Sequence, residues 1–198
     1  MAGAKVADAI RAFVGLDLDT KSVRRVVRLA DRLRMASGAP SATWAPQDNV
    51  HLTLKFMASF PAAAVAPLGK ALGALVLPGK APQPGTCRLH AFPSVEQANV
   101  IVIALADPRG DVARLAAKIE KLASRHGVAR ETRPYVPHVT LARLKRPYDS
   151  RRWLRSEFAD AAGEFTVSHL TLYRSELGAG KEGGSLYVPL ARFGYGPT

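Results

Sequence analysis

Apolar and polar positions follow two rhythms along this chain, and the switches between them mark out its elements. Ala12–Leu18 (AFVGLDL) is an almost unbroken apolar run, which predicts a buried strand. From Ser22 to Met35 apolar residues return every three or four positions among arginines, which predicts an amphipathic helix closed by Ser37-Gly38. Residues 49–57 (NVHLTLKFM) predict the next strand. Pro61 then suits a helix start, and residues 61–77 have helical composition, with Pro67 kinking that helix or shifting its beginning. Residues 78–85 (PGKAPQPG) carry Pro and Gly without apolar periodicity and predict a linker.

Beyond the linker the grammar repeats. Strands are predicted near Cys87–Phe92 and Asn99–Leu105, then a helix from Asp111 to His126 capped by Gly127. HVTLARLK (138–145) predicts a strand, DSRRWLRSEFADAA (149–162) a helix, FTVSHLTLYRSEL (165–177) a long strand and SLYVPLARF (185–193) a last one. GAGKEGG (178–184) is expected to form a mobile hairpin loop between the last two. In each half a histidine-bearing strand precedes a helix, and His51 and His138 lie about half a chain apart. This predicts a duplicated α+β unit with one site between its halves.

The tetrapeptide HLTL occurs at His51–Leu54 and His169–Leu172, and HVTL at His138–Leu141. Side chains alternate faces on a strand, so His51 pairs with Thr53 against Leu52 and Leu54, and His138 pairs with Thr140 against Val139 and Leu141. With the leucines in a core, the imidazoles and hydroxyls must face water or a cleft, because an unpartnered buried imidazole is costly. Two facing histidines suit phosphodiester cleavage: a neutral ring takes a proton from water and a protonated ring gives one to the departing oxygen. An ordinary pKa of ~6.5 permits both states near pH 7. Thr53 and Thr140 would donate to the non-bridging oxygens, which gain charge in the transition state. The His169 strand runs into the glycine-rich loop rather than a helix, so His169 is expected to be a copy without that chemistry, with a supporting role at the cleft edge left open.

Composition narrows the setting. The 28 Lys and Arg against 16 Asp and Glu leave a formal charge of +12, which favours an anionic partner, nucleic acid foremost, or simply solubility. Cys87 is the sole cysteine, which excludes an internal disulfide and a thiolate zinc site and fits a reducing, cytoplasmic setting. No stretch approaches the ~18 apolar residues of a membrane helix, and no secretory signal is expected. The five histidines show no metal-ligand spacing, and no GxxxxGK loop occurs, so neither metal nor cofactor is expected.

Four stretches together resemble a known family: RAFVGLDL near the start, WAPQDNVHLTLKF and RPYVPHVTLARLK around the two motifs, and LTLYRSEL followed by SLYVPLARF at the end. They resemble the two-histidine phosphoesterases, and within them the bacterial and archaeal RNA 2′,3′-cyclic phosphodiesterases, also called 2′-5′ RNA ligases. The resemblance implies an α+β fold of two pseudo-symmetric lobes of antiparallel sheet plus helices around a central cleft, as a single bilobal domain over residues 1–198. It implies hydrolysis of a terminal 2′,3′-cyclic phosphate to a 2′-phosphomonoester, with His51 as proton donor to the leaving 3′ oxygen and His138 as the base. Substrates would be RNA ends or nucleotides bearing the cyclic phosphate. Two alternatives stay open: 2′-5′ ligation as the main task, and nucleotide or RNA binding without catalysis on the same scaffold.

Further residues are candidates for holding substrate. Parity puts Lys55 on the face of His51, where it would reach a phosphate or sit idle as an exposed strand lysine. Arg143 falls on the face opposite His138 by parity, and its role requires a bulge, a strand end or a reach around the edge. Arg130 and Arg133 add charge at the expected cleft entrance, and Tyr135 or Phe56 would stack on a base or fill the core, Phe56 sharing the leucine face. His126, before Gly127, suits a helix end, and Cys87 reads as a small buried hydrophobe.

Overall fold

The computed structural model describes residues 9–36, 41–85, 87–151, 164–180 and 184–196. The predicted helix over 149–162 and the tip of the predicted hairpin loop fall largely outside these residues. Strand β1 (Ala9–Leu18) leads into α1 (Thr20–Met35), then β2 (Ala42–Trp44), a 3₁₀ turn at Gln47–Asn49, and β3 (His51–Pro61). Helix α2 (Val65–Gly73) follows, then β4 (Cys87–Phe92), β5 (Ala98–Leu105), α3 (Asp111–Ser124), β6 (His138–Tyr148), β7 (Val167–Glu176) and β8 (Leu186–Gly194).

Local chemistry accounts for most of these boundaries. Asp19 caps α1 by accepting from the Ser22 amide at 2.7 Å, relieving one of the free donors of the first turn. On α1, Val26, Leu29 and Leu33 are buried at helical spacing while Arg24, Arg28, Arg32 and Arg34 are exposed. Pro67 does shift the start of α2: it occupies the first turn, where its missing N–H costs no intrahelical bond, and a 3₁₀ turn at Ala62–Ala64 precedes it. After α3 the chain turns through Gly127 at φ 80°, a conformation glycine adopts without strain.

The strands form one antiparallel sheet in the order β4-β5-β6-β3-β1-β7-β8, with β2 added to β6. Two wings meet at its middle, where β3 and β6 share a single residue pair, Leu52 with Val139. Beyond that pair the strands part, and β2 takes over the edge of β6 from Ala142 to Leu144. Opposite Leu141, the Ala45 amide bridges the gap by donating to the Leu141 carbonyl at 2.8 Å. The wings are not the two halves of the chain, since β7 and β8 complete the wing of β1 and β3. The helices also cross over: α1 leaves one wing to pack on β6 of the other, while α3 leaves that wing to pack on β3. The predicted linker is packed too, with Pro82 and Pro84 buried and the Gly85 amide bonded to the Ala106 carbonyl. The strands of His51 and His138 still lie in different wings, and they are the ones that touch. Among the described residues no helix is long and apolar enough to cross a membrane.

Candidate active site

The two motif strands position their imidazoles in the same way. His51 Nδ1 lies 2.8 Å from the Asn49 carbonyl, and His138 Nδ1 lies 2.8 Å from the Val136 carbonyl, in both cases the residue two before it. A carbonyl only accepts, so Nδ1 carries the hydrogen and donates it. That leaves Nε2 of each ring as the nitrogen free to exchange protons. His51 Nε2 is 2.9 Å from Thr53 Oγ1, within its own motif.

Both strands also carry a bulge at the same place. β1 pairs Val14 with Lys55 and then Gly15 with Thr53, leaving Leu54 as the extra residue. β5 pairs Ile101 with Ala142 and then Val102 with Thr140, leaving Leu141 as the extra residue. Two consecutive residues are therefore buried on each strand, Leu54 and Lys55 on one, Leu141 and Ala142 on the other. Alternation flips beyond that point.

The flip overturns the simple parity count. Lys55 does not share the face of His51: it is 7% exposed on the helix side, with Nζ 2.8 Å from Glu120 of α3 and donating to the Ala129 carbonyl at 2.8 Å. Its charge is spent on holding α3 to the sheet. Phe56 leaves the leucine face and becomes exposed, with the Arg11 guanidinium 4.2 Å over its ring. Arg143 gains the bulge its role required and returns to the side of His138.

Between the parted strands lies a cleft of about 610 Å³ whose lining includes His51, Thr53, Thr140 and Arg143. Residues 43–47 form part of its wall, α1 another, and Tyr187 of β8 a third. His138 is not among the residues lining this cleft; it stands on the strand face of Thr140 and Arg143, with Phe92 edge-on to its ring at 5.4 Å. Tyr135 is not available for stacking, because its hydroxyl donates to the Thr53 carbonyl at 2.9 Å and ties the approach to β6 onto β3. Arg133 is exposed and engaged with Glu131 at 2.8 Å, and Arg130 is exposed; neither lines the cleft. His169 likewise lies outside the lining, with Nδ1 3.3 Å from Arg192. His126 meets the ring of Phe60 edge-on, and Cys87 is half-buried in β4.

The surroundings of His51 contain residues that motif reading missed. Phe13 stacks on its ring at 4.6 Å, Tyr173 stacks on Phe13 at 4.9 Å and lies 6.1 Å from the imidazole, and Tyr187 meets the imidazole edge-on at 5.3 Å. Gly15 lets the ring lie this close, since a Cβ there would stand 3.2 Å from His51 Cδ2. Next to His51 in register sits Asp17, a buried carboxylate satisfied three times over. Its oxygens accept from Tyr173 at 2.7 Å, Thr171 at 2.9 Å and Arg192 at 3.0 Å. The available clue was a lone acid inside the apolar run AFVGLDL; its partners are some 150 residues away and invisible to local pattern.

Burial dominates the protonation of both rings. His51 is pushed down to about 4, chiefly by loss of water, with the Asn49 carbonyl and Asp17 opposing and the charges of His138 and Arg143 adding to the fall. His138 is also lowered, again chiefly by burial and further by Arg143, with the Val136 carbonyl opposing. Both rings are neutral near pH 7. An arriving anion offsets Arg143 and makes a proton on either ring cheaper.

The family model of the 2′-5′ RNA ligase superfamily matches residues 22–179. Two curated proteins, each named RNA 2′,3′-cyclic phosphodiesterase, are 28% identical: one from Aquifex aeolicus over 85% of this chain and 89% of its own, one from Escherichia coli over 92% and 95%. In fold, the chain superposes on Escherichia coli LigT complexed with 3′-AMP with a TM-score of 0.71 at 21% identity, covering 94% of this chain and 98% of that one. A Thermus thermophilus structure gives 0.68 at 27% identity over 96% and 100%. With the family model spanning most of the sequence and both histidine strands inside it, the chain belongs to the 2′-5′ RNA ligase superfamily.

Proposed function

We propose that this protein hydrolyses a 2′,3′-cyclic phosphate at an RNA end to a 2′-phosphomonoester, using His51 and His138 as an acid–base pair. The observation that carries the reading is the matched tethering of two imidazoles on adjacent strands, each fixed through Nδ1 with Nε2 left to act. The names of the curated relatives support the same reaction.

In this reading His138 Nε2 takes a proton from water as the water oxygen bonds to phosphorus. The bond from phosphorus to the 3′ oxygen breaks, and that oxygen takes the proton held on His51 Nε2. Burial opposes a proton on both rings, holding His51 down to about 4, and the surroundings differ in what they set against it. Asp17 is the carboxylate whose charge favours a proton on His51, whereas the corresponding register partner of His138 on β5 is Ala104. Thr53, Thr140 and Arg143 face the non-bridging oxygens and stabilise their growing charge. Lys55, Tyr135, Arg130 and Arg133 have no part in it.

Turnover of cytidine 2′,3′-cyclic phosphate, with the product isomer read by phosphorus NMR, tests the proposal. The 2′-monophosphate formed in the presence of EDTA is the expected result. Saturable binding without turnover would leave a binding protein, and joining of RNA halves with no hydrolysis would leave a ligase.

A further inference from the structure

Helix α1 carries six basic residues, Lys21, Arg24, Arg25, Arg28, Arg32 and Arg34, against one acid, Asp31. Its sides are used unequally. Val26, Leu29 and Leu33 go into the core. Val27, Ala30, Asp31 and Arg34, at helical spacing, form one wall of the cleft that holds His51 and Thr140. Directly beside that wall, on the next stripe of the helix, stand Arg24 and Arg28, with Lys21 a turn further on; all three are exposed. Arg25 points elsewhere, its Nε buried without a partner.

This cationic stripe is not neutralised from within. Several described arginines elsewhere are paired with acids, Arg109 and Arg114 with Asp111, Arg133 with Glu131, and Arg192 with Asp17. Lys21, Arg24, Arg28 and Arg34 have no ion pair among the described residues. Like charges one turn apart repel and weaken an isolated helix, so the stripe is a cost to folding that a bound polyanion would remove. At 1.5 Å per residue, Lys21 to Arg34 spans about 20 Å, which is long enough for several nucleotides and begins inside the cleft. Trp44 and Tyr187 line the same cleft, and rings beside a run of cations are the combination that holds single strands.

We propose that the exposed stripe of α1, running from Arg34 in the cleft through Arg28 and Arg24 to Lys21, is a phosphate track for single-stranded RNA whose 3′ end occupies the active site. The inference deepens the proposed function and rests on it: the substrate is a polynucleotide end, and cyclic mononucleotides use only part of the site.

The test compares a cyclic mononucleotide with a single-stranded oligonucleotide ending in a 2′,3′-cyclic phosphate. The triple variant Lys21→Gln/Arg24→Gln/Arg28→Gln keeps residues of good helix propensity and leaves the cleft-lining residues untouched. For the wild-type chain kcat/KM on the oligonucleotide should fall about twentyfold between 50 and 200 mM salt, the response of roughly three released counterions on a single strand. In the variant that salt dependence should largely disappear, and equilibrium binding of the labelled oligonucleotide should weaken in step, while turnover of the mononucleotide is unchanged. Equal binding of the oligonucleotide by both proteins overturns the track, as does an equal loss on both substrates. Vesicles of anionic lipid binding through these residues in place of RNA would overturn the choice of partner. Binding is read whether or not the chain turns over, so a wild-type protein that binds the oligonucleotide through α1 yet hydrolyses neither substrate sinks the proposed function and leaves the track standing.

Discussion

Strands β3 and β6 follow one plan for four residues and then diverge. Each has a tethered histidine, a buried apolar residue, a cleft-facing threonine and a bulged leucine. At the next, buried position β3 has Lys55, whose charge is consumed by Glu120, while β6 has Ala142, with no charge to satisfy. One residue later β6 presents Arg143 to the cleft, whereas β3 presents Phe56 under Arg11. The neighbouring strands differ as well: Asp17 stands beside His51, Ala104 beside His138. A near-symmetric frame thus carries an asymmetric charge pattern, which is what a reaction needing one acid and one base requires.

The sharpest break of this comparison is removal of either ring. His51→Ala and His138→Ala should each lower kcat on a cyclic mononucleotide by about 10³ or more, within the range a positioned acid or base supplies, while His169→Ala stays within a few fold. Comparable losses at all three would mean that the wrong copies have been matched. Next in size is Arg143→Met, expected to reduce kcat/KM by about 10²-fold without changing the thermal midpoint, since the side chain is exposed.

Asp17→Asn sharpens the asymmetry rather than breaking it. Asp17 raises the affinity of His51 for a proton, so its loss lowers that affinity. In the proposed reaction the productive form of the free protein has His51 charged and His138 neutral, and both rings titrate below 6.5. The kcat/KM profile should therefore be bell-shaped with an optimum on the acid side of 6.5. In the variant the optimum should move further to acid, with about a tenfold loss at pH 7. An unshifted profile with reduced rate would reduce Asp17 to a structural role.

The smallest effect on catalysis belongs to Lys55, and it separates the two strands most cleanly. Lys55→Met should leave kcat/KM of the folded protein unchanged and destabilise the fold by roughly 2 kcal/mol, because the partly buried Glu120 loses its counter-charge. A large rise in KM with stability intact would return Lys55 to the cleft. The lowered histidines add a pH signature to stability. Buried neutral rings must accept protons on unfolding, so stability is full above about 6.5 and declines as pH falls towards 4.

Much of this was legible in the chain itself. Period-two and period-3.6 apolar spacing are local properties, so β1, α1, β3, α3, β6 and β7 could be read where they lie, and so could the two His-x-Thr pairs on their strand faces. What tertiary structure alone decided is everything that depends on a partner strand. A bulge is defined only by the residue it fails to oppose, and one such residue after each motif moved Lys55 out of the site and Arg143 into it. The donors to Asp17 and the acid that holds Lys55 are far along the sequence, and a buried charge declares its partner only once the chain has closed around it.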